Sequence, residues 1–158
     1  MQVIKPDSSN QLIESDTTVF LAGSIEMGKA TDWQNQIERA LIDFDVTLFN
    51  PRRNNWNSKW EQTEKNDDFN YQVNWELNRL DSADIVFMNF LPDTKSPISL
   101  LELGAYAKTK KMIVCCPPGF WRKGNVDIFC NRNGISVYSE FDDAIGALMT
   151  QLRLNRPI

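Results

Sequence analysis

The feature that most constrains the fold is a series of five short apolar runs separated by segments of helical periodicity. The runs span residues 18–22, 46–49, 83–90, 112–116 and 135–138. Strands that read as continuous apolar runs are buried on both faces, which is typical of a parallel sheet covered by helices. The pattern therefore predicts an α/β fold with a flavodoxin-like, doubly wound, five-stranded parallel sheet.

The segments between and after these runs predict the helices. They are a helix from Thr31 or Asp32 to about Phe44, helices over residues 69–82, 96–110 and 141–154, and a loop with a short helix over residues 120–133. A chain of 158 residues is the size of one ordinary domain. Residues 1–16 are polar and predict a loose N-terminal leader or an edge segment, and residues 17–158 predict a single α/β domain.

Composition excludes several classes of function. The net charge of −4 argues against binding to a nucleic-acid polymer, and no apolar run approaches the roughly 20 residues that span a bilayer. Three cysteines without a CxxC pair indicate core thiols of a reduced, cytoplasmic protein. The absence of histidine excludes Ser-His-Asp and Cys-His catalysis and argues against a zinc site. We therefore expect neither a metal nor a cofactor, and no membrane partner.

The polar residues that follow the predicted strands should meet at one rim of the sheet. Ligands of doubly wound folds bind at the carboxyl ends of the strands, near the switch in strand order. There the sequence places Gly23-Ser24, Asn50-Pro51-Arg52, residues 90–96 and residues 117–125. The polar loop over residues 50–68, which contains Trp56 and Trp60, is either a lid over a ligand or a surface excursion.

One carboxylate, Glu102, lies within an otherwise apolar helix at this rim. Ser96 is expected to cap the helix and Pro97 fits its first position. A buried acid is either functional or paired, here with Arg52, Arg79 or a backbone donor. Because the helix N-terminus faces the predicted site, we expect its dipole to keep Glu102 ionised.

A second acid, Glu76, lies on the preceding helix. The apolar face of that helix is expected to contain Val73, Leu77 and Leu80, with Trp75 or Glu76 directed elsewhere. Two carboxylates near one cleft are the minimum for glycosyl transfer: one attacks the anomeric carbon, and the other manages protons or orients the sugar.

Three segments carry a more specific signal. They are Val19-Phe20-Leu21-Ala22-Gly23-Ser24-Ile25, Glu76-Leu77 followed by Ala83-Asp84-Ile85-Val86, and Glu102-Leu103-Gly104-Ala105-Tyr106-Ala107. In these segments the chain resembles the nucleoside 2-deoxyribosyltransferases and their relatives, the nucleoside-monophosphate N-glycosidases. Asn50-Pro51-Arg52 and Ser96-Pro97-Ile98-Ser99 look like one branch of that family.

The resemblance implies base exchange in nucleoside salvage, with a 2′-deoxynucleoside and a free purine or pyrimidine base as substrates. Glu102 would attack C1′ and hold the sugar as an ester, and Glu76 falls where the family usually has an Asp. The resemblance also implies a homo-oligomer with shared active sites. Asn125 and Asp127 would lie in the segment donated by a neighbour, with Asn125 on the sugar hydroxyls; alternatively, one of them caps a short helix.

Together, the rim and the resemblance assign eight residues to substrate binding. They are Gly23, Ser24, Asn50, Arg52, Trp56, Ser96, Asn125 and Asp127. Trp56, Trp60 and Trp121 could stack on a base or pack in the core or an interface.

Two departures from the family pattern leave the proton donor to the leaving base open. Many transferases have an Asp six residues before the nucleophile, where this chain has Ser96, as the monophosphate N-glycosidases do. Those hydrolases have a phosphate-binding Arg where this chain has Glu26, which argues against a 5′-phosphate. The candidate donors are Asp93, Glu26 or a water held by Ser96. The alternative functions are an N-glycosidase acting on a nucleoside or nucleoside 5′-monophosphate, and a non-catalytic nucleotide-sensing module.

Overall fold

A computed structural model describes residues 1–26, 30–53, 57, 59–109 and 111–155. Within these residues the chain forms six strands and five helices. The strands are β1 (Gln2–Ile4), β2 (Thr18–Gly23), β3 (Thr47–Phe49), β4 (Ile85–Asn89), β5 (Lys111–Cys115) and β6 (Ser136–Tyr138). The helices are α1 (Trp33–Ala40), α2 (Asp67–Ser82), α3 (Pro97–Tyr106), α4 (Lys123–Arg132) and α5 (Phe141–Leu154).

All strands pair in parallel, in the order β1-β3-β2-β4-β5-β6. The prediction of an α/β, doubly wound sheet is confirmed, but the predicted number of five strands is wrong. The sixth strand is β1, which pairs with β3 from Gln2↔Thr47 to Ile4↔Phe49. It has three residues, of which only Ile4 is fully buried, so it leaves no apolar run in the sequence.

Two layers of helices cover the sheet, as expected for strands that are apolar throughout. Helices α2, α3 and α4 bury one set of side chains against one face: Trp75, Leu80, Leu103, Ala107, Val126 and Cys130. Helices α1 and α5 cover the other face with Trp33, Ile37, Leu41, Ala144, Leu148 and Leu152. No helix in the described part of the chain has both the length and the apolar character needed to cross a bilayer.

Helix α2 is rotated relative to its predicted orientation. Val73 and Leu77, which were expected to face the core, are 36% and 44% exposed, whereas Trp75 is buried. The tryptophan buries more apolar area than either aliphatic side chain, and its Nε1 donates to Oε1 of Gln11 at 3.0 Å. Arg79 donates to the same oxygen at 3.0 Å. These contacts hold the N-terminal segment against α2 and are too distant in sequence to be read from periodicity.

The strand order reverses direction between β2 and β4. After β2 the chain adds β3 on one side and then returns to place β4 on the other, with Gly23 opposite Asn89 in the register. This switch point lies at the carboxyl edge of the sheet, where the loops that lead into α1 and α3 begin. A ligand of a doubly wound fold is expected at this position.

Candidate active site

Glu102 lies on the second turn of α3, at the carboxyl edge of the sheet, and is 9% exposed. Within the described residues no side chain or backbone group gives its carboxylate a hydrogen bond or an ion pair. The expected structural partners are engaged elsewhere. Arg79 donates to Gln11, and Arg52 donates to the Ala30 carbonyl at 2.8 Å. The explanation of Glu102 as a paired structural acid is therefore wrong, because nothing in that part of the chain pairs with it.

Glu76 lies on α2, which packs in the same layer as α3, and its carboxylate interacts electrostatically with that of Glu102. Its Oε1 accepts a hydrogen bond of 2.6 Å from Nε2 of Gln72, one helical turn earlier. The same Nε2 donates to the Pro51 carbonyl at 3.0 Å. The structure thus brings together the two acids that the sequence singled out and holds one of them by an amide group.

Both carboxyl groups are harder to ionise than ordinary glutamates. Burial raises the pKa of Glu76 to about 7, although the Gln72 hydrogen bond opposes the rise. Burial, followed by the negative charge of Glu76, raises the pKa of Glu102 to about 8. The prediction that the α3 dipole keeps Glu102 ionised is therefore wrong at neutral pH. The dipole acts mainly within the first turn, whereas Glu102 lies beyond it and is desolvated.

Three hydroxyl groups join the end of β2 to the loop that precedes α3. Ser24 Oγ shares hydrogen bonds of 2.6 Å with Ser96 Oγ and 2.8 Å with Thr94 Oγ1. Ser24 Oγ also accepts from the Leu91 N–H at 3.0 Å, and Thr94 Oγ1 donates to the Leu91 carbonyl at 2.8 Å. The predicted site residues Ser24 and Ser96 are therefore in direct contact, and they fix the position of the helix that carries Glu102.

Ser96 occupies the position before α3 but does not cap it, which corrects the sequence-based prediction. Its backbone is left-handed, with φ 45°, and its side chain makes no capping hydrogen bond. Instead, Oε1 of Glu26 accepts from the Ser96 N–H at 3.1 Å and from its hydroxyl at 3.4 Å. The positive end of α3 is thus occupied by a carboxylate of the chain itself.

Backbone strain is concentrated in the same two loops. In the described segments the non-glycine residues with positive φ are Glu26, Asp93 and Ser96. Such conformations cost roughly 1–3 kcal/mol each and are found preferentially at functional sites. The candidate proton donors are Asp93, Glu26 or a water held by Ser96. Glu26 contacts Ser96, whereas the Asp93 side chain is exposed on the loop that precedes α3.

Gly23 is needed for the close approach of β2 and β4. Its φ is +136°, and a Cβ atom added there would lie 2.1 Å from the Asn89 carbonyl oxygen. That oxygen accepts the Ser24 N–H at 2.9 Å, which positions the hydroxyl group of Ser24. The structure accordingly explains Gly23 through backbone packing at the switch point.

We expect Gly23→Ala to lower the free energy of unfolding by about 3 kcal/mol or more, because a backbone oxygen cannot make room for the added methyl group. Gly104→Ala is the matched control: Gly104 lies in α3, and an added Cβ would meet nothing within 4 Å. There the greater helix propensity of alanine should raise stability by about 0.5–1 kcal/mol. Urea denaturation of both variants measures the difference, and equal stabilities would contradict the packing argument.

Asn50 and Arg52, two predicted substrate-binding residues, are bound to protein partners in this structure. Asn50 Nδ2 donates to Glu38 of α1 at 2.7 Å, and its Oδ1 accepts from the Arg52 N–H at 2.9 Å. The Arg52 guanidinium group donates to the Ala30 and Thr31 carbonyls. Asn50 therefore connects the β3–α2 loop to α1 itself, and Arg52 connects it to the segment that precedes α1. The contact of either side chain with substrate stays a prediction. Trp56, also predicted to bind substrate, lies outside the described residues.

Asn125 and Asp127 lie inside α4, so the alternative that either of them caps this helix is wrong. Arg122 occupies the cap position, and no side chain caps the helix there. Asp127 accepts from Lys123 Nζ at 3.1 Å, one turn earlier, whereas Asn125 is exposed on the first turn. Within the described part of the chain neither side chain forms a hydrogen bond or an ion pair with Glu76 or Glu102.

Sequence reasoning missed two parts of the site. Gln72 precedes Glu76 by four residues, a spacing at which helical side chains interact, so this signal was available in the sequence. The contact between Glu26 and Ser96 joins residues 70 positions apart and leaves no such signal. No group of three or more His, Cys, Asp or Glu side chains that could hold a metal occurs among the residues with described positions.

Comparison with known proteins gives one result. A family model described as nucleoside 2-deoxyribosyltransferase like matches residues 16–120, about two thirds of the chain. The matched region contains β2 to β5, both carboxylates and the three hydroxyl groups, and it ends before α4. No curated protein matches the chain.

Proposed function

Because the chain belongs to the nucleoside 2-deoxyribosyltransferase-like family, we propose that it exchanges the base of a 2′-deoxynucleoside for another purine or pyrimidine base. The observation that carries the proposal is Glu102: a buried carboxylate at the switch point, beside a second acid, with no hydrogen-bond partner in the described part of the chain. A carboxylate that is largely removed from water and receives no hydrogen bond from the described residues is costly for folding, so it needs a functional explanation.

In the proposed reaction, an oxygen of ionised Glu102 attacks C1′ of the sugar. The N-glycosidic bond breaks, its electron pair leaves with the base, and the base takes up one proton. The sugar remains as an ester of Glu102. A ring nitrogen of the second base then attacks C1′ and loses its proton, and the ester bond breaks to regenerate the carboxylate. Two displacements at the same carbon give net retention of configuration.

Glu76 would contribute negative charge next to the reacting carbon. The transition state of glycosyl transfer resembles an oxocarbenium ion, and a nearby carboxylate stabilises its positive charge. The structure supports this role by the electrostatic interaction of Glu76 with Glu102 and by the Gln72 hydrogen bond that holds its carboxylate. The reactive form then needs both carboxylates ionised.

The contact between Glu26 and Ser96 favours an unphosphorylated substrate. A helix N-terminus is the part of this rim best suited to bind a phosphate, and here Glu26 already accepts the Ser96 N–H. A phosphate would have to displace a carboxylate of the same charge. We therefore propose a nucleoside, in preference to a nucleoside 5′-monophosphate, as the sugar donor.

Hydrolysis of the same bond is the second candidate, and one observation favours it. Ser96 lies at the position where many transferases are expected to have an acid. Its hydroxyl group is hydrogen-bonded to Ser24 and Thr94. The site therefore has no carboxylate at residue 96 itself to receive the proton of an incoming base. Water would then replace the second base in the second displacement.

One assay separates these functions. The protein is incubated with 2′-deoxyinosine, with and without adenine, and products are followed by chromatography. Formation of 2′-deoxyadenosine only when adenine is present supports base exchange. Free deoxyribose in both reactions indicates hydrolysis and contradicts the proposal. Saturable binding without turnover across several donor and acceptor bases indicates a sensing module and also contradicts it.

We further propose that the active form is a homo-oligomer in which a neighbour completes the site. The outer surfaces of α2 and α3 carry apolar side chains that no described residue covers: Val73, Leu77, Ile98 and Leu101 are 36%, 44%, 59% and 68% exposed. A cluster of exposed apolar residues on adjacent helices is typical of a protein interface. Asn125, exposed on α4 in the same layer, is available to such a neighbour.

Replacing Leu101 by glutamate should convert the oligomer to a monomer and lower turnover at least about tenfold, because burying a charge in an apolar interface is costly. Leu154→Glu is the control, since Leu154 is 75% exposed on α5, on the opposite face of the sheet. Light scattering after size-exclusion chromatography measures the mass. A monomeric wild-type protein with full activity would contradict the shared site.

A further inference from the structure

Gln72 is the residue that links the carboxylate pair to the backbone of the β3–α2 connection. It is 3% exposed, and its Nε2 donates both to Pro51 O at 3.0 Å and to Glu76 Oε1 at 2.6 Å. Within the described residues this amide group gives Glu76 its hydrogen bond, and Glu102 receives none. A side chain so completely buried, with its nitrogen between two fixed acceptors, has little freedom to move.

We propose that Gln72 is a positioning residue: its amide N–H holds negative charge on Glu76 beside Glu102 and so favours the doubly ionised, reactive form of the pair. The catalytic consequence rests on the proposed function, whereas the effect of Gln72 on the charge of Glu76 concerns the free protein alone. A neutral donor suits the position, because a buried lysine or arginine would be costly and would neutralise the charge.

The sign of the effect follows from the groups around the pair. Glu102 approaches Glu76 from α3, and the charge of Glu76 raises the pKa of Glu102. Burial opposes ionisation of Glu76 itself. On α3, Tyr106 donates to Asp81 of α2 at 2.7 Å, so its hydroxyl is directed to another acceptor. Arg79, one turn after Glu76, donates to Gln11. Gln72 therefore lowers the pKa of Glu76, against burial, which raises it.

Loss of this donor should raise the pKa of Glu76, so that a higher pH is needed to ionise both carboxyl groups. A hydrogen bond to a charged group contributes roughly 1.5–3 kcal/mol, which corresponds to a pKa difference of about 1–2 units. In Gln72→Met the shape is nearly kept but the donor is lost. We expect the acid limb of its kcat/KM profile to move to higher pH by about one unit or more. At a fixed pH below that limb, kcat/KM of the variant should be about tenfold lower than that of the wild type for each pH unit by which the limb moves.

The closing experiment needs no activity. Glutamate carboxyl carbons are labelled with 13C, and Glu76 is titrated by NMR in Glu102→Gln, where its charged neighbour is absent. Adding Gln72→Met should raise the pKa of Glu76 by about one unit or more. An unchanged or lower pKa would overturn the inference even if base exchange is confirmed, whereas an inactive wild type with a raised pKa would refute the proposed function and leave the positioning role intact.

Gln34→Met is the matched control. Gln34 is fully buried and lies on α1, across the sheet from the pair, and neither of its amide atoms has a hydrogen-bond partner among the described residues. Gln34→Met should leave the pKa of Glu76 and the pH profile of kcat/KM unchanged. If Gln72→Met does not fold, Gln72→Asn keeps the amide and shortens its reach by one methylene, and the same rise in the pKa of Glu76 is expected.

Discussion

Glu102→Gln is expected to abolish base exchange, with a loss of about 10³-fold or more in kcat, because an amide oxygen cannot form and release the sugar ester. The substitution keeps the shape of the side chain, and the glutamine meets no described hydrogen-bond partner that it would disrupt. The fold should therefore be preserved. Steady-state assays with a 2′-deoxynucleoside and a different base measure the loss, and circular dichroism checks the fold.

The same variant should be more stable than the wild type, and increasingly so as pH rises. The pKa of Glu102 is raised in the folded state, so the folded protein binds its proton more tightly than the unfolded chain does. Stability from this group is present below the unfolded pKa of 4.5 and is lost as pH rises through the folded value of about 8. Glutamine has no proton to lose, and at pH 9 the gain should be about 2 kcal/mol or more.

Urea denaturation at pH 5 and pH 9 tests this second effect, with Glu61→Gln as the control because Glu61 is exposed in the β3–α2 loop. The stability difference between Glu102→Gln and the wild type should widen between the two pH values, whereas the control should show no such change. Full activity of Glu102→Gln would show that Glu102 is not the nucleophile. A variant less stable than the wild type at pH 9 would contradict the raised pKa of Glu102.

Glu76→Gln is expected to lower the maximal rate about 10²-fold and, at the same time, to shift the acid limb of kcat/KM to lower pH. The rate falls because negative charge beside the reacting carbon is lost. The limb shifts because the charge of Glu76 is the second cause, after burial, of the raised pKa of Glu102. In the wild type, activity should rise as the carboxyl groups with pKa values of about 7 and about 8 ionise, and it should level off above about pH 9, where both are ionised.

The two effects of Glu76→Gln have opposite signs at low pH, which makes the variant informative. A pH–rate profile of kcat/KM from pH 5 to 9.5, measured beside the wild type, separates them. A general loss of structure would lower the plateau without moving the limb. A limb that stays in place or moves to higher pH would show that the two carboxylates do not interact as the structure indicates.

The sequence was sufficient for the features that depend on local pattern. Continuous apolar runs predicted β2 to β6 and their parallel pairing, and the βα order placed Glu102 and Ser24 at one rim. The position of Asp32 at the start of α1 was also readable, and its Oδ1 does accept the Asn35 N–H at 3.2 Å. These properties follow from propensity, periodicity and capping.

The features that depend on contacts between residues distant in the chain could not be predicted from the sequence. The orientation of α2 is set by Gln11, 64 residues before Trp75, and the cap of α3 comes from Glu26, 70 residues before Ser96. The protonation of Glu102 depends on how completely α2 and the sheet remove water from it. In each case the deciding energy arises from packing and desolvation in the folded chain, which no local pattern encodes.

The covalent role of Glu102 can be tested directly with a 2′-deoxy-2′-fluoro-arabinosyl nucleoside, whose fluorine slows breakdown of the sugar ester. Intact-mass spectrometry should show one added fluorodeoxyarabinosyl group per chain, and peptide mapping should locate it on Glu102. Adding a second base should remove the label with formation of a new nucleoside. Labelling of a different residue, or release of base without any covalent adduct under conditions in which the wild type turns over, would contradict the account.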